Sequence, residues 1–229
     1  MEENMIQPTQ KESFKTPLIV LIVLFVLYGI VGYFQTINIT WEDYQNIMSV
    51  SPGGDRVPEE MQRKTYDSTQ AFAFVSFIAG ITRLGAMLVV SVILFFGFNI
   101  ASKRQNFKTI FKCVIYAEVV VFVQSTIFAF LTMHFHYDCY SQSQISPLSV
   151  LSFLNVCNLE AYMIGILKYV SVFEVLYFGV LAYFLVKNIP DVPKNQVIKI
   201  AAYCYGIILL ICMLRDTLTL IGTEKLANL

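Results

Sequence analysis

Long uninterrupted apolar runs constrain this chain more than any other feature of its sequence. Runs of about 20 residues are long enough to cross the roughly 30 Å hydrocarbon core of a bilayer as α-helices. Within hydrocarbon, only a helix or a closed barrel satisfies the hydrogen-bonding groups of the backbone. The runs therefore predict an all-α protein, a polytopic membrane bundle of about five transmembrane helices with short interfacial helices. The five predicted spans are residues 17–37, 81–101, 110–133, 168–187 and 197–221.

Composition agrees with a chain that lies mostly in lipid. Of its 229 residues, 56% are apolar and 14% are charged, whereas charged residues make up about a quarter of an ordinary soluble domain. The 16 basic and 16 acidic side chains cancel, so the net charge indicates no nucleic acid partner. The partners that we expect are the lipid bilayer itself and a membrane protein, and the sequence predicts no particular oligomeric state.

One membrane domain, residues 17–221, accounts for nearly the whole chain. The apolar run that ends at residue 101 reaches back to residue 71 and is longer than one crossing requires. We therefore expect residues 58–80 to form an amphipathic helix near the membrane surface, and a single tilted helix is the alternative. Three segments flank or interrupt the domain: a cytoplasmic N-terminal segment at residues 1–16, an extracytoplasmic loop at residues 38–70 and a C-terminal tail at residues 222–229.

The distribution of basic residues predicts the orientation of the chain, because Lys and Arg in short loops stay on the cytoplasmic side. With the N-terminus inside, the cytoplasmic segments hold nine basic residues and the outer segments hold four. We therefore expect a cytoplasmic N-terminus and an extracytoplasmic C-terminus, as five crossings require. The nine are Lys11, Lys15, Lys103, Arg104, Lys108, Lys112, Lys187, Lys194 and Lys199, and the four are Arg56, Arg63, Lys64 and Lys225.

Two segments resemble the Yip family of five-helix membrane proteins, whose eukaryotic members interact with Ypt/Rab-type GTPases. Residues 94–112, LFFGFNIASKRQNFKTIFK, close one helix with a small-residue and basic loop and open the next with an aromatic residue. Residues 167–182, LKYVSVFEVLYFGVLA, resemble the family's aromatic and acidic entry into the fourth helix. The long N-terminal region and the Asp-Leu-Tyr-Gly-Pro motif of eukaryotic members are absent. The resemblance is therefore to the divergent, bacterial-type branch and implies no GTPase binding.

Polar side chains within the predicted spans are the first candidates for function, because such groups are costly in hydrocarbon. At about 1.5 Å of rise per residue, several of them reach the outer half of the bundle. They could hold an anionic ligand through bidentate arginine contacts. Alternatively, they could join the helices by ion pairs, or the arginines could reach the outer interface. This candidate polar cluster consists of Arg83, Gln124, Glu174, Arg215 and Asp216.

Glu118 is a separate candidate because it lies near the midplane of the third span. A carboxyl group at that depth is expected to be protonated or hydrogen-bonded. A proton relay would need further titratable groups on a path, and Tyr116 and Glu174 are the available neighbours. These residues define an alternative function, a small transporter or channel subunit with a polar site in the outer half of the bundle.

Histidines and cysteines give weaker signals. His134 and His136 stand near an aspartate and a cysteine, a set that could ligate a transition metal, but two histidines alone do not predict a site. Cys139 and Cys157 share an outer segment, so a disulfide between them is possible if that side is oxidising. We expect no cofactor.

The sequence lacks the motifs of common enzyme classes. It has no phosphate-binding glycine loop, no HExxH helix and no GxSxG elbow. We therefore expect no catalysis. The favoured interpretation is a Yip-like integral membrane protein that binds or organises other membrane components.

Overall fold

The structure is a computed structural model, and it describes residues 14–51, 56–101, 103, 105–132 and 147–227. Within these residues the chain is helical, apart from its connections and one isolated antiparallel bridge. The α-helices are, in chain order, α1 Lys15–Asn38, α2 Trp41–Val50, α3 Glu59–Ala71, α4 Ile78–Ile100, α5 Phe107–Thr132, α6 Ala161–Leu167, α7 Val172–Asn188 and α8 Lys194–Ala227.

Four helices of the described chain are long and apolar enough to cross a membrane, which confirms the predicted all-α membrane bundle. They are α1, α4 with the 3-10 turn before it, α5 and α8. The remaining predicted span, residues 168–187, corresponds to α7, which has 17 residues and a length of about 25 Å. The predicted number of five spans is therefore approximate.

The bundle exposes apolar side chains on its outside, as a protein does when lipid surrounds it. Between 22% and 28% of the residues in each spanning window are buried inside the protein. Helix α5 lies at the centre, where it packs against α1, α4 and α7. Its buried residues Ile110, Ile115 and Ala117 join Leu94 and Leu181 from the neighbouring helices in the main core.

The predicted outer loop, residues 38–70, contains two helices. Thr40 caps the start of α2 with a capping box. The Asp43 backbone N–H donates to the Thr40 hydroxyl at 3.1 Å, and the Thr40 backbone N–H donates to the Asp43 carboxylate at 3.1 Å. Helix α3 is polar and ends at Ala71. The chain then passes through a 3-10 turn, Ala73–Phe77, into α4.

The junction between the surface helix and the span therefore lies between residues 72 and 77, and not at Gly80. Gly80 is inside α4, where an added Cβ would come within 2.6 Å of the Phe25 ring. This glycine permits α1 and α4 to approach closely, so it does not end a helix.

Residues 148–172 form a closed loop between α5 and α7. Its two ends pair at the bridge Ser149–Ser171, with backbone bonds from Val150 to Val170 at 2.9 Å and from Val172 to Leu148 at 3.2 Å. Inside the loop are two 3-10 turns and α6. The loop packs on the end of α8 through a second small core of Leu151, Val156, Ile164 and Leu220.

The contact between α6 and α8 is tested by Gly165→Ala. An added Cβ at this position would lie 2.3 Å from Thr217 Oγ1 and 2.9 Å from Thr217 Cα. Since backbone has to move to relieve the clash, we expect a loss of roughly 1–3 kcal/mol of stability. The measurement is the unfolding midpoint of the purified protein in mild detergent.

Gly206→Ala in α8 is the matched control, because an added Cβ there meets open space. The better helix propensity of alanine should leave the unfolding midpoint unchanged or raise it. Equal midpoints for the two variants would contradict the close packing of α6 on α8.

Candidate functional site

The polar residues of the bundle fall into two groups in the structure. The inner polar cluster consists of Tyr28, Arg83, Glu118, Glu174 and Tyr205, on five different helices. The α8 ion cluster consists of Lys168, Tyr169, Arg215 and Asp216. Tyr205 and Asp216 are eleven residues apart on α8, which separates the two groups by about 16 Å along the helix.

Glu118 is the most deeply buried acid of the inner polar cluster. Its side chain lies on the centre of α5 and is 4% exposed. The Tyr28 hydroxyl of α1 donates a hydrogen bond to Glu118 Oε1 at 3.0 Å. The Tyr28 ring packs edge-on against Phe122, with 5.2 Å between ring centroids. A buried carboxyl is therefore satisfied across the contact between α1 and α5.

Arg83 brings a positive charge to this cluster from α4. Its guanidinium carbon lies 5.8 Å from the centre of the Tyr28 ring, and a terminal nitrogen donates to Ser125 Oγ at 3.4 Å. The guanidinium attracts the carboxylates of both Glu118 and Glu174. The single positive charge of Arg83 thus acts on two acids, and it can neutralise only one negative charge.

Glu174 occupies the first turn of α7, where the helix dipole favours a negative charge. Its backbone N–H donates to the Ser171 hydroxyl at 3.1 Å, which caps the helix. The Tyr205 hydroxyl of α8 donates to the Glu174 carboxylate. Tyr177 stacks on Tyr205 with 5.6 Å between ring centroids, so these contacts join α7 to α8.

Asp216 is the centre of the α8 ion cluster. It accepts bonds from the Tyr169 hydroxyl at 2.6 Å and from Arg215 Nε at 2.7 Å, and it pairs with the Lys168 ammonium. The Asp216 side chain is 12% exposed and that of Arg215 is 70% exposed. Because solvent screens the charge of the exposed arginine, its ion pair contributes little to the stability of the cluster. The two contacts from Lys168 and Tyr169 hold the closed loop against α8.

The structure thus distributes the sequence candidates differently from the single predicted cluster. Arg83 and Glu174 lie together, and Glu118, which was considered separately, joins them. Arg215 and Asp216 belong to the other group. Gln124 is half-buried beside Ser125 on α5.

Sequence reasoning did not identify the tyrosines that bond the two acids. Tyr28 and Tyr205 each stand within a long apolar run, where the sequence gives no sign of which face of the helix meets an acid. The sequence also gives no sign that Lys168 pairs with Asp216. A hydroxyl-bearing ring amid aliphatic residues is a detectable feature, but its bonding partner is not.

The remaining candidates lie mostly beyond what the structure describes. His134, His136 and Cys139 fall outside the described residues. Cys157 is disulfide-bonded, whereas Cys113, Cys204 and Cys212 form no disulfide. The predicted pairing of Cys139 with Cys157 stays a prediction.

Comparison with known proteins identifies the family. No curated protein and no solved structure gives a significant match. A family model described as the Yip1 domain matches residues 3–215. The match includes α1 to α7, most of α8 and both acids of the inner polar cluster. It confirms the family resemblance of residues 94–112 and 167–182. The chain therefore belongs to the Yip1 domain family.

Proposed function

We propose that this protein is a non-catalytic membrane protein that binds or organises other membrane components. One observation carries the proposal: the buried Glu118 and the half-buried Glu174 each accept a hydrogen bond from a tyrosine on another helix. Groups that are satisfied by bonds within the bundle hold helices together. They are poor candidates for a reactive centre, because catalysis needs groups directed at a substrate.

The surface of the molecule supports the same proposal. The outside of the bundle is apolar over long stretches, for example at Ile100, Val175 and Leu218, and it provides a large area for contact with lipid and with the helices of a partner. The polar helices α2 and α3 extend from one end of the bundle. The expected partners are the lipid bilayer and a membrane protein.

A second candidate function is a small transporter or channel subunit. The observation that favours it is the charge balance of the inner polar cluster, which has one basic residue, Arg83, and two acids, Glu118 and Glu174. Because one positive charge faces two acids in a medium of low dielectric constant, a proton or another cation would complete the charge balance. Movement of that cation would be the transported step.

The structural role of the tyrosine–acid bonds is tested by Tyr28→Phe. This change removes the hydroxyl that bonds Glu118 and keeps the ring against Phe122. Loss of the bond leaves a buried carboxyl oxygen without its partner, so we expect a loss of about 1–3 kcal/mol. The measurement is the free energy of unfolding in mixed detergent micelles.

Tyr33→Phe is the matched control, because Tyr33 lies on an exposed face of the same helix. Its expected effect on the free energy of unfolding is close to zero. If Tyr28→Phe were as stable as this control, the bond to Glu118 would not hold α1 on α5, and the structural interpretation would lose its support.

The proposed function is tested with purified protein in proteoliposomes and in mild detergent. An organising protein is expected to carry no proton or cation flux above that of protein-free liposomes. The same preparation is expected to retain a specific membrane component, detected by mass spectrometry and missing from an unrelated multi-pass protein purified in parallel.

A flux that Glu118→Gln abolishes would instead establish the transporter. Ser91→Ala is the control for that outcome, since Ser91 is a buried hydroxyl on α4 that bonds only to the Met87 carbonyl of its own helix, at 2.7 Å, among the contacts described. Flux that survives in both variants would exclude Glu118 from the path.

We also propose a cytoplasmic N-terminus and an extracytoplasmic C-terminus, on the basis of the nine-to-four distribution of basic residues. A protease-cleavable tag at each end tests it in sealed cells. The C-terminal tag should be cleaved from outside and the N-terminal tag should resist until the membrane is opened. Cleavage of both tags in sealed cells, or of neither, would contradict the orientation.

A further inference from the structure

A groove lies where the polar helix α3 gives way to the spanning helix α4. We call it the interfacial groove, and its walls include Thr36, Lys64, Ser68, Phe72, Val75 and Ser76. Its volume is about 670 Å³, within the range of roughly 300–1,000 Å³ that is usual for small-molecule sites. Neither the inner polar cluster nor the α8 ion cluster contributes to it.

The groove has a polar half and an apolar half in a definite order. Lys64 and Ser68 lie on α3, whose sequence is mostly charged and polar. Phe72 and Val75 follow directly, and the side chain of Phe72 is 58% exposed. Because α4 continues from here into a helix long and apolar enough to cross a membrane, we expect the polar half to face water and the apolar half to face hydrocarbon.

Two hydrogen-bond donors of the polar half remain available. Lys64 and Ser68 are four residues apart and therefore neighbours on one face of α3. No salt bridge to Lys64 is formed within the described part of the chain. The intervening hydroxyl of Thr65 already donates to the Met61 carbonyl at 2.9 Å, and that of Thr69 to the Thr65 carbonyl at 2.8 Å.

Asp67, three residues after Lys64, forms its salt bridge with a different basic residue. Asp67 forms a salt bridge with Arg63 at 3.4 Å, and the Arg63 guanidinium lies 4.8 Å from the centre of the Trp41 ring. Among the described residues that line the groove, none is an aspartate or a glutamate. The polar half is therefore complementary to an anion.

The floor of the groove is a fixed contact between α1 and the 3-10 turn. The hydroxyls of Thr36 and Ser76 are 3.1 Å apart, and Thr36 donates to the Gly32 carbonyl at 2.9 Å. An added Cβ on Gly32 would come within 3.0 Å of the Ser76 Cβ, so the two elements already touch. The groove is thus preformed, which reduces the entropy lost when a ligand binds.

We propose that the interfacial groove binds one glycerophospholipid of the surrounding bilayer. Its phosphate is held by the Lys64 ammonium and the Ser68 hydroxyl, and its acyl chain lies against Phe72 and Val75. A free phosphate would use only the polar half, whereas a phospholipid matches the order of both halves. The inference is independent of whether the bundle organises partners or transports a cation.

The test is native mass spectrometry of the full chain in mild detergent, titrated with a phosphatidylglycerol and with a diacylglycerol of the same acyl chains. The unmodified protein is expected to bind one phosphatidylglycerol at low concentration and the diacylglycerol much more weakly. The double change Lys64→Gln and Ser68→Ala removes a charge-assisted contact and should weaken phosphatidylglycerol binding roughly tenfold. Both side chains are exposed, so the variant should fold normally.

Lys199→Gln is the matched control, because it removes an exposed lysine from α8 at the other end of the bundle. It should leave the affinity for phosphatidylglycerol unchanged. An equal loss in this control would show that general charge attraction holds the lipid, and equal binding of diacylglycerol would exclude the phosphate contact. Competition by inorganic phosphate at millimolar concentration would identify a site for a free anion and overturn the proposal.

Discussion

The cost of placing a carboxyl group in hydrocarbon determines how this bundle is assembled. Glu118 is buried in the helical core and Glu174 is half-buried in the first turn of α7, and the hydrocarbon around the bundle supplies no hydrogen bonds. Each receives a bond from a tyrosine of another helix, Tyr28 or Tyr205. These bonds specify which face of α1 meets α5 and which face of α7 meets α8. Apolar packing alone would allow many rotations of each helix about its axis, because lipid and protein interior are similarly apolar.

Hydrogen bonds also determine where α7 begins and how the long loop before it is held. Ser171 caps α7 at its first turn, so the chain before it must leave the helix axis. The closed loop uses that segment to cover the end of α8 with a small core, and the contacts of Lys168 and Tyr169 to Asp216 fix it there. Gly165 lets α6 lie directly on the α8 backbone. The short α7 and the closed loop therefore form one structural unit with the C-terminal helix.

The sequence predicted the parts of this fold that depend on hydropathy and little of what depends on helix faces. The apolar runs are sufficient to predict the membrane bundle, since composition alone decides whether a helix can lie in lipid. The start of α7 was predicted at residue 168, four residues early, although Ser171 and Glu174 have the spacing of a capping box. The Tyr28–Glu118 bond was not predicted, since both helices are apolar all round and no periodicity marks the buried side. The break before α4 was expected at Gly80, but glycine serves there to admit the Phe25 ring.

The distribution of satisfied and available polar groups separates the interior of this protein from its ends. In the interior, the acids and their tyrosines form bonds that join α1 to α5 and α7 to α8, and Arg83 of α4 lies near the Tyr28 ring. At the interface, Lys64 and Ser68 line a groove whose other wall is apolar. The organising role that we propose requires a rigid body and an outward-facing contact site, and in this proposal the two regions supply them separately. Rigidity would come from the bonded acids and recognition from the interfacial groove, so changes that alter one need not alter the other.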